Sequence, residues 1–220
     1  MIIVFDLEMT VQRKHQHLAE VIEIGAVKVE VAGGSPSVTD KFQTFVRPTK
    51  QPVLSKHTTE FTGIVQADVE RAPAFRDALN AWKEWLGGGS YYLCSWGPDD
   101  KWQLLKQCRE QEKPIDWIKN YNDLQQMYSK LVAEGDTYRQ IGLQRALEQL
   151  ELAFEGSPHR ALDDAHNTAR VLISRFSDFK LEENDIHDEL RYSTELVYST
   201  GSSSHNPFEK LAGLFDSSVS

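Results

Sequence analysis

Ile2-Ile3-Val4-Phe5-Asp6-Leu7-Glu8-Met9-Thr10 reads as a buried strand with two acids set into it. Successive strand side chains point to opposite faces, so residues i and i+2 share a face and the carboxylates of Asp6 and Glu8 converge. An isolated buried carboxylate costs several kcal/mol unless it is protonated, paired or bound to a cation. A metal site at the carboxyl end of this strand answers that cost. The plain alternative makes Asp6 a strand cap and Glu8 the start of a solvated loop.

A second acidic group lies far along the chain, in Gly156-Ser157-Pro158-His159-Arg160-Ala161-Leu162-Asp163-Asp164-Ala165. Beyond it Leu162, Ala165, Ala169, Leu172 and Phe176 recur at three- and four-residue intervals, the stripe of a helix packed on a core. Asp164 then stands in the first turn of that helix, and His159 in the Pro-led loop before it. An imidazole titrates near neutral pH, which suits a general base on a movable loop beside a fixed metal ligand. Read blandly, Asp163 and Asp164 are helix-start acids facing the macrodipole and His159 is a solvated loop residue.

A third group sits in Ser95-Trp96-Gly97-Pro98-Asp99-Asp100-Lys101-Trp102-Gln103-Leu104. Here a β-prone run halts at Gly-Pro and a helix starts through Pro98. Spacing alone leaves Asp99 and Asp100 both open as the inward acid. Asp100 shares a helix face with Leu104, so it turns toward the sheet if Leu104 packs there.

Taken in order, Asp6-Leu7-Glu8, then Asp100 with Leu104, then His159 with Asp164 resemble the three motifs of the DEDDh 3′→5′ exonuclease superfamily. The chain is most similar to the branch containing the enhanced-RNA-interference and histone-mRNA exonucleases, and to related small bacterial exonucleases. Leu54 to Val69 with Thr62-Gly63-Ile64, Ser95-Trp96-Gly97, and the Leu162-Asp163-Asp164 ending carry that closer likeness, which covers about residues 1–178. The adjacent acids of Pro98-Asp99-Asp100 are a departure from the family's pattern.

The resemblance implies a ribonuclease-H-like α/β fold, a mixed five-stranded sheet flanked by helices. It also implies that Asp6, Glu8, Asp100 and Asp164 hold two Mg²⁺ ions, with Mn²⁺ able to substitute. His159 would deprotonate the attacking water, and Glu8 would also reach the terminal 3′ hydroxyl. The backbone around Met9 and Thr10 would seat the last nucleotide, and Phe61 or Ile64 would press on its base. Ordinary core packing is the competing reading for Phe61 and Ile64, and a packed ring competes with a stacking platform for Trp96. An all-oxygen ligand set independently suits hard cations rather than zinc.

Composition bounds these expectations. The 220 residues, 40% of them hydrophobic, suffice for one substantial core and a single main domain. No run approaches the ~20 apolar residues of a membrane span, and no leader precedes the first strand, so a soluble, cytoplasmic protein is expected. Cys94 and Cys108 form no metal-spaced pair and have no secretory context for a disulfide. A net charge of −9 looks wrong for a partner of phosphate backbones, but nine acids and three bases from residue 177 onward leave residues 1–176 at −3. Outside the four expected ligands that portion stands at +1. Such a body grips a short 3′ end through metals rather than coating a duplex.

Strands are expected at about 2–8, 20–31, 41–47, 90–96 and 116–122, and helices near 73–86, 98–111, 123–133, 142–150 and 161–177. An exonuclease domain at 1–178 precedes an acidic, then Ser-rich tail at 179–220, with an amphipathic segment at 186–197 and a disordered end. The basic loop at 12–19 reads as solvated. The functional expectation is a 3′→5′ exonuclease releasing nucleoside 5′-monophosphates from single-stranded 3′ ends, RNA being favoured. Two readings compete: a DNA-directed proofreading type, and a nucleic-acid-binding module that does no chemistry. Sequence offers no mark of the 2′-hydroxyl contact that separates RNA from DNA.

Overall fold

The structure, a computed structural model, describes residues 1–11, 19–133, 135, 137–188 and 190. Its sheet has the order β3-β2-β1-β4-β5, with β1 (Ile2–Met9) at the centre. β2 (Val21–Ala32) pairs antiparallel with β1 and with β3 (Ser35–Phe45), while β4 (Tyr92–Ser95) and β5 (Tyr121–Asp123) run parallel to β1. Gly33 and Gly34 make the β2–β3 turn at φ +60° and +86°. Two successive positive φ angles match the right-handed strand twist of a tight hairpin.

The alternation of β1 divides the core into two layers. Ile3, Phe5 and Leu7 face α3 (Phe75–Leu86) and α4 (Asp99–Glu110), where Trp82, Leu104 and Cys108 close the layer. Ile2 and Val4 face α5 (Leu124–Leu131), α6 (Leu143–Gln149) and α7 (Ala161–Ser174), with Tyr128, Leu147 and Leu172 against them. This is the ribonuclease-H-like mixed α/β arrangement. Asp6 and Glu8 continue the Ile2–Val4 side, so the strand turns its charge toward α7.

Gly25 sets how closely α7 approaches. A Cβ on Gly25 would lie 2.1 Å from the Leu162 nitrogen and 2.2 Å from the Ala161 carbonyl carbon. Only a bare backbone lets the first turn of α7 rest on β2. Because Gly25 pairs with Asp6 in the ladder, that contact sets the α7 start beside the acids of β1.

Several elements depart from expectation. β3 starts at Ser35 rather than near 41, because its polar first half is held by hairpin pairing instead of burial. Two unexpected helices, α1 (Lys56–Thr62) and α2 (Gln66–Glu70), occupy the stretch after β3. The oxygen of Ser55 caps α1 by accepting from the Thr58 amide. Strand β5 is three residues long, and the last long helix stops at Ser174, followed by a 3₁₀ turn at Phe176–Asp178.

The boundary expected at 178 cuts through a packed layer. Phe179 and Ile186 are buried, the Asn120 amide donates to the Asn184 carbonyl, and the Glu182 amide donates to Asn122. The basic stretch at 12–18 and the tail at 191–220, with most of the amphipathic segment expected there, lie outside the described residues. Among the described residues no helix is long and apolar enough to cross a membrane.

Candidate active site

A concavity of about 630 Å³ opens at the carboxyl end of β1. Asp6, Glu8, Met9, Thr10, Phe61, Trp96, His159 and Asp164 all line it. Asp6, Glu8 and Asp164 each offer a carboxylate oxygen, and the three lie within 4.8 Å of one another. Two come from one strand by its two-residue repeat and the third from the first turn of α7.

Asp100 stands just outside that trio. It is buried at the start of α4, and its Oδ1 accepts from the Leu7 amide at 3.2 Å, while Asp99 is exposed on the rim. Leu104 is fully buried in the same layer, consistent with the shared helix face. The turn before α4 depends on Gly97 at φ +101°, whose carbonyl accepts from Ser95 Oγ and Tyr121 Oη, each at 2.7 Å.

Mutual repulsion and burial act together on the four acids. Burial pushes Asp6 well above the usual carboxylate range, reinforced by Asp100, Asp164 and Glu8. Glu8 rises to about 8 through burial, then Asp164 and Glu23, with Arg160 opposing. Asp100 also rises to about 8 through burial, against the lowering effect of the Leu7 amide. Asp164 rises to about 6 because burial outweighs the backbone donors of His159 and Arg160. Four neighbouring acids held so high in pKa lack the positive charge that would ionise them together.

His159 projects from the loop before α7 with φ +62°, a left-handed conformation uncommon outside glycine. Its ring stacks on Phe61 at 4.2 Å between centroids, so the tip of α1 steadies the imidazole over the cavity. Phe61 is 49% exposed and free to meet a ligand. Ile64 is a correction: it is fully buried with Ile22 and Val69 in a separate small cluster and offers no surface to a base. Trp96 donates its indole N–H to the Ile141 carbonyl and packs on Tyr128, leaving one edge on the cavity. The Thr10 and Val11 amides donate to the Glu20 carbonyl and to Thr58 Oγ1, so both are already engaged within the protein.

Sequence reasoning missed a buried acid and its half-buried partner behind the trio. Glu23 is fully buried opposite Glu8 in the ladder and accepts from Arg160 Nε, Arg160 Nη2, the Ala161 amide and Gln43. The Arg160 amide in turn donates to Asp164 Oδ2 at 3.1 Å. Asp163, the other helix-start acid, accepts from the Ser157 amide, while Asn167 clamps Glu155. The Glu23 signal was present in Val21-Ile22-Glu23-Ile24, an acid inside an apolar strand, but its partner lies 137 residues away.

The donors fit divalent cations: clustered carboxylate oxygens, no thiolate, and a shortage of positive charge. A family model described as "Exonuclease" matches residues 3–172. The chain is 31% identical to "ERI1 exoribonuclease 2" of Danio rerio over 80% of its own length and 35% of that protein's. It is 30% identical to "3'-5' exonuclease eri1" of Schizosaccharomyces pombe, over 70% of this chain and 59% of the relative. The chain thus spans less than two thirds of each of these relatives. Among solved structures, the nuclease domain of 3'hExo, described as a DEDDh family member bound to rAMP, matches with a TM-score of 0.71 and 28% identity. That likeness covers 83% of this chain and 95% of the other.

Proposed function

We propose, because this chain belongs to the exonuclease family, that it is a metal-dependent 3′→5′ exoribonuclease releasing nucleoside 5′-monophosphates. One observation carries the proposal most: three carboxylates within 4.8 Å at the floor of a cavity whose rim carries His159. Similarity to exoribonucleases, and to a nuclease domain that holds rAMP, favours RNA over DNA.

Asp6, Glu8 and Asp164 would hold a pair of Mg²⁺ ions, with Asp100 completing the set from its place on the Leu7 amide. Bound there, such ions polarise the scissile phosphate, lower the pKa of the attacking water and steady the leaving oxygen. Glu8, beside Met9 at the strand end, accepts from the terminal 3′ hydroxyl. An imidazole nitrogen of His159 takes the proton of the attacking water. Its left-handed loop and the Phe61 stack hold it where a proton can leave toward solvent. Phe61 presses on the terminal base, and Trp96 bounds the sugar side.

The buried free thiols Cys94 and Cys108 fit the cytoplasmic location proposed with this activity. The test uses 5′-labelled single-stranded RNA and DNA with Mg²⁺, with and without chelator, for the wild type and Asp6→Asn. A ladder of shortened RNA from the wild type with Mg²⁺ alone is expected. Absence of any ladder, or one that survives the chelator, would refute the reading, and the RNA-to-DNA rate ratio ranks the sugars.

A further inference from the structure

α4 presents one polar stripe to the cavity: Asp99, Trp102, Gln103 and Lys106, spaced at three and four residues. Gln103 and Lys106 both donate to the Ala19 carbonyl and tie the helix to the strand edge. Trp102 stands apart from them as a large aromatic residue that is 43% exposed. The ring also lines a second concavity beyond α4, so it forms the ridge between the two. One ring face is fixed, because the buried Lys101 ammonium sits 4.5 Å from its centroid and 4.4 Å from that of Tyr121.

We propose that Trp102 is the stacking platform for the second base from the 3′ end, the point where the strand leaves the active-site cavity. This deepens the function proposed above and rests on it. A strand whose terminal phosphodiester lies against Asp6, Glu8 and Asp164 must exit past one wall, and Trp102 is the large exposed aromatic on the α4 wall. An indole held from behind by an ammonium offers a rigid, sequence-tolerant π surface to whatever base arrives. Phosphate attraction cannot supply the same contact, because acids outnumber lysines five to three around the second concavity. The second nucleotide is therefore held by its base and not by its phosphate, and binding there requires an unpaired strand.

The test measures Kd by anisotropy for 5′-labelled RNA trinucleotides with Mg²⁺, on a His159→Ala background that slows turnover. One trinucleotide carries a normal second base and the other an abasic ribose at that position. Losing the base should weaken binding about 5- to 150-fold, the range of one stacked base. Adding Trp102→Ala should bring the two Kd values within about twofold of each other, and Trp102→Phe should restore the gap. The gap should persist from 50 to 200 mM salt, because both trinucleotides carry the same phosphates. Equal Kd values on the parent background, or a gap that survives Trp102→Ala, would overturn the inference. RNA hydrolysis by the wild type, run in parallel, judges the exonuclease reading separately.

Discussion

Glu8 and Glu23 face each other across the β1–β2 ladder, both buried, and the chain treats them in opposite ways. Glu23 has a guanidinium, a backbone amide and a side-chain amide around it, so its charge is answered from within the protein. Around Glu8 stand Asp164, Glu23 and Asp100, with only the opposing pull of Arg160, and its pKa climbs to about 8. A buried acid with internal partners is part of the framework. One surrounded by acids is a site waiting for a cation from outside.

Breaking the acid-surrounded side should do the most damage to activity and the least to the fold. Asp6→Asn should cut the RNA-degrading rate by roughly 10³-fold or more, since one of the carboxylates that would hold the charge-stabilising ions is lost. The same substitution should raise the melting temperature in chelator at pH 8, because it removes a charge that its neighbours repel. Thermal unfolding of the two proteins side by side checks that sign. His159→Ala should slow turnover by ~10²–10⁴ while leaving the Mg²⁺-induced shift in melting temperature intact, as expected of a base that holds no metal.

The internally paired side should behave in reverse. Arg160→Ala strands the fully buried Glu23 and should cost about 3 kcal/mol of stability, with the 32% exposure of Arg160 placing it at the low end for a broken buried pair. Adding Glu23→Gln to that variant should recover much of the loss in a denaturant titration. If Arg160→Ala costs less than ~0.5 kcal/mol, the pairing at Glu23 is not what holds the α7 start to β2.

Much of this contrast could be read from the chain. Asp6 and Glu8 announced themselves as charge in an apolar strand, and the helical stripe behind Asp164 placed it in a first turn. Spacing left Asp99 and Asp100 both open, and it is burial that separates them, with Asp100 inside and Asp99 exposed. The Glu23–Arg160 pair could not be paired from sequence, because nothing local in Glu23 names a partner 137 residues on. Helices α1 and α2 were hidden by their brevity, and α1 also by its threonines, which favour strands unless capped and packed, as Ser55 and the Ile22–Ile64–Val69 cluster do here. The same cluster explains why Ile64 was misjudged: its neighbours come from β2. Strand β5 carries too few residues for any period, and the exposed first half of β3 has no apolar alternation to betray it.

A smaller effect sharpens the comparison further. Glu8 and Asp100 held near 8, and Asp164 near 6, mean that the folded protein without metal binds more protons than the unfolded chain. Its stability in chelator should therefore fall as pH rises from about 4.5 through about 8. Mg²⁺ takes the ionised forms, so its binding should release protons and tighten across the same interval. Melting temperatures at pH 6 and pH 8 should show the larger Mg²⁺-induced rise at pH 8, and equal rises at both would contradict the pKa ordering.

The most direct test of the unanswered charge is diffraction from crystals soaked in Mn²⁺, recorded at a wavelength where manganese scatters anomalously. Two peaks about 3.5–4 Å apart, within ligand distance of Asp6, Glu8 and Asp164, are the predicted result. A map with no anomalous peak within about 3 Å of the Asp6 carboxylate at saturating Mn²⁺ would contradict it.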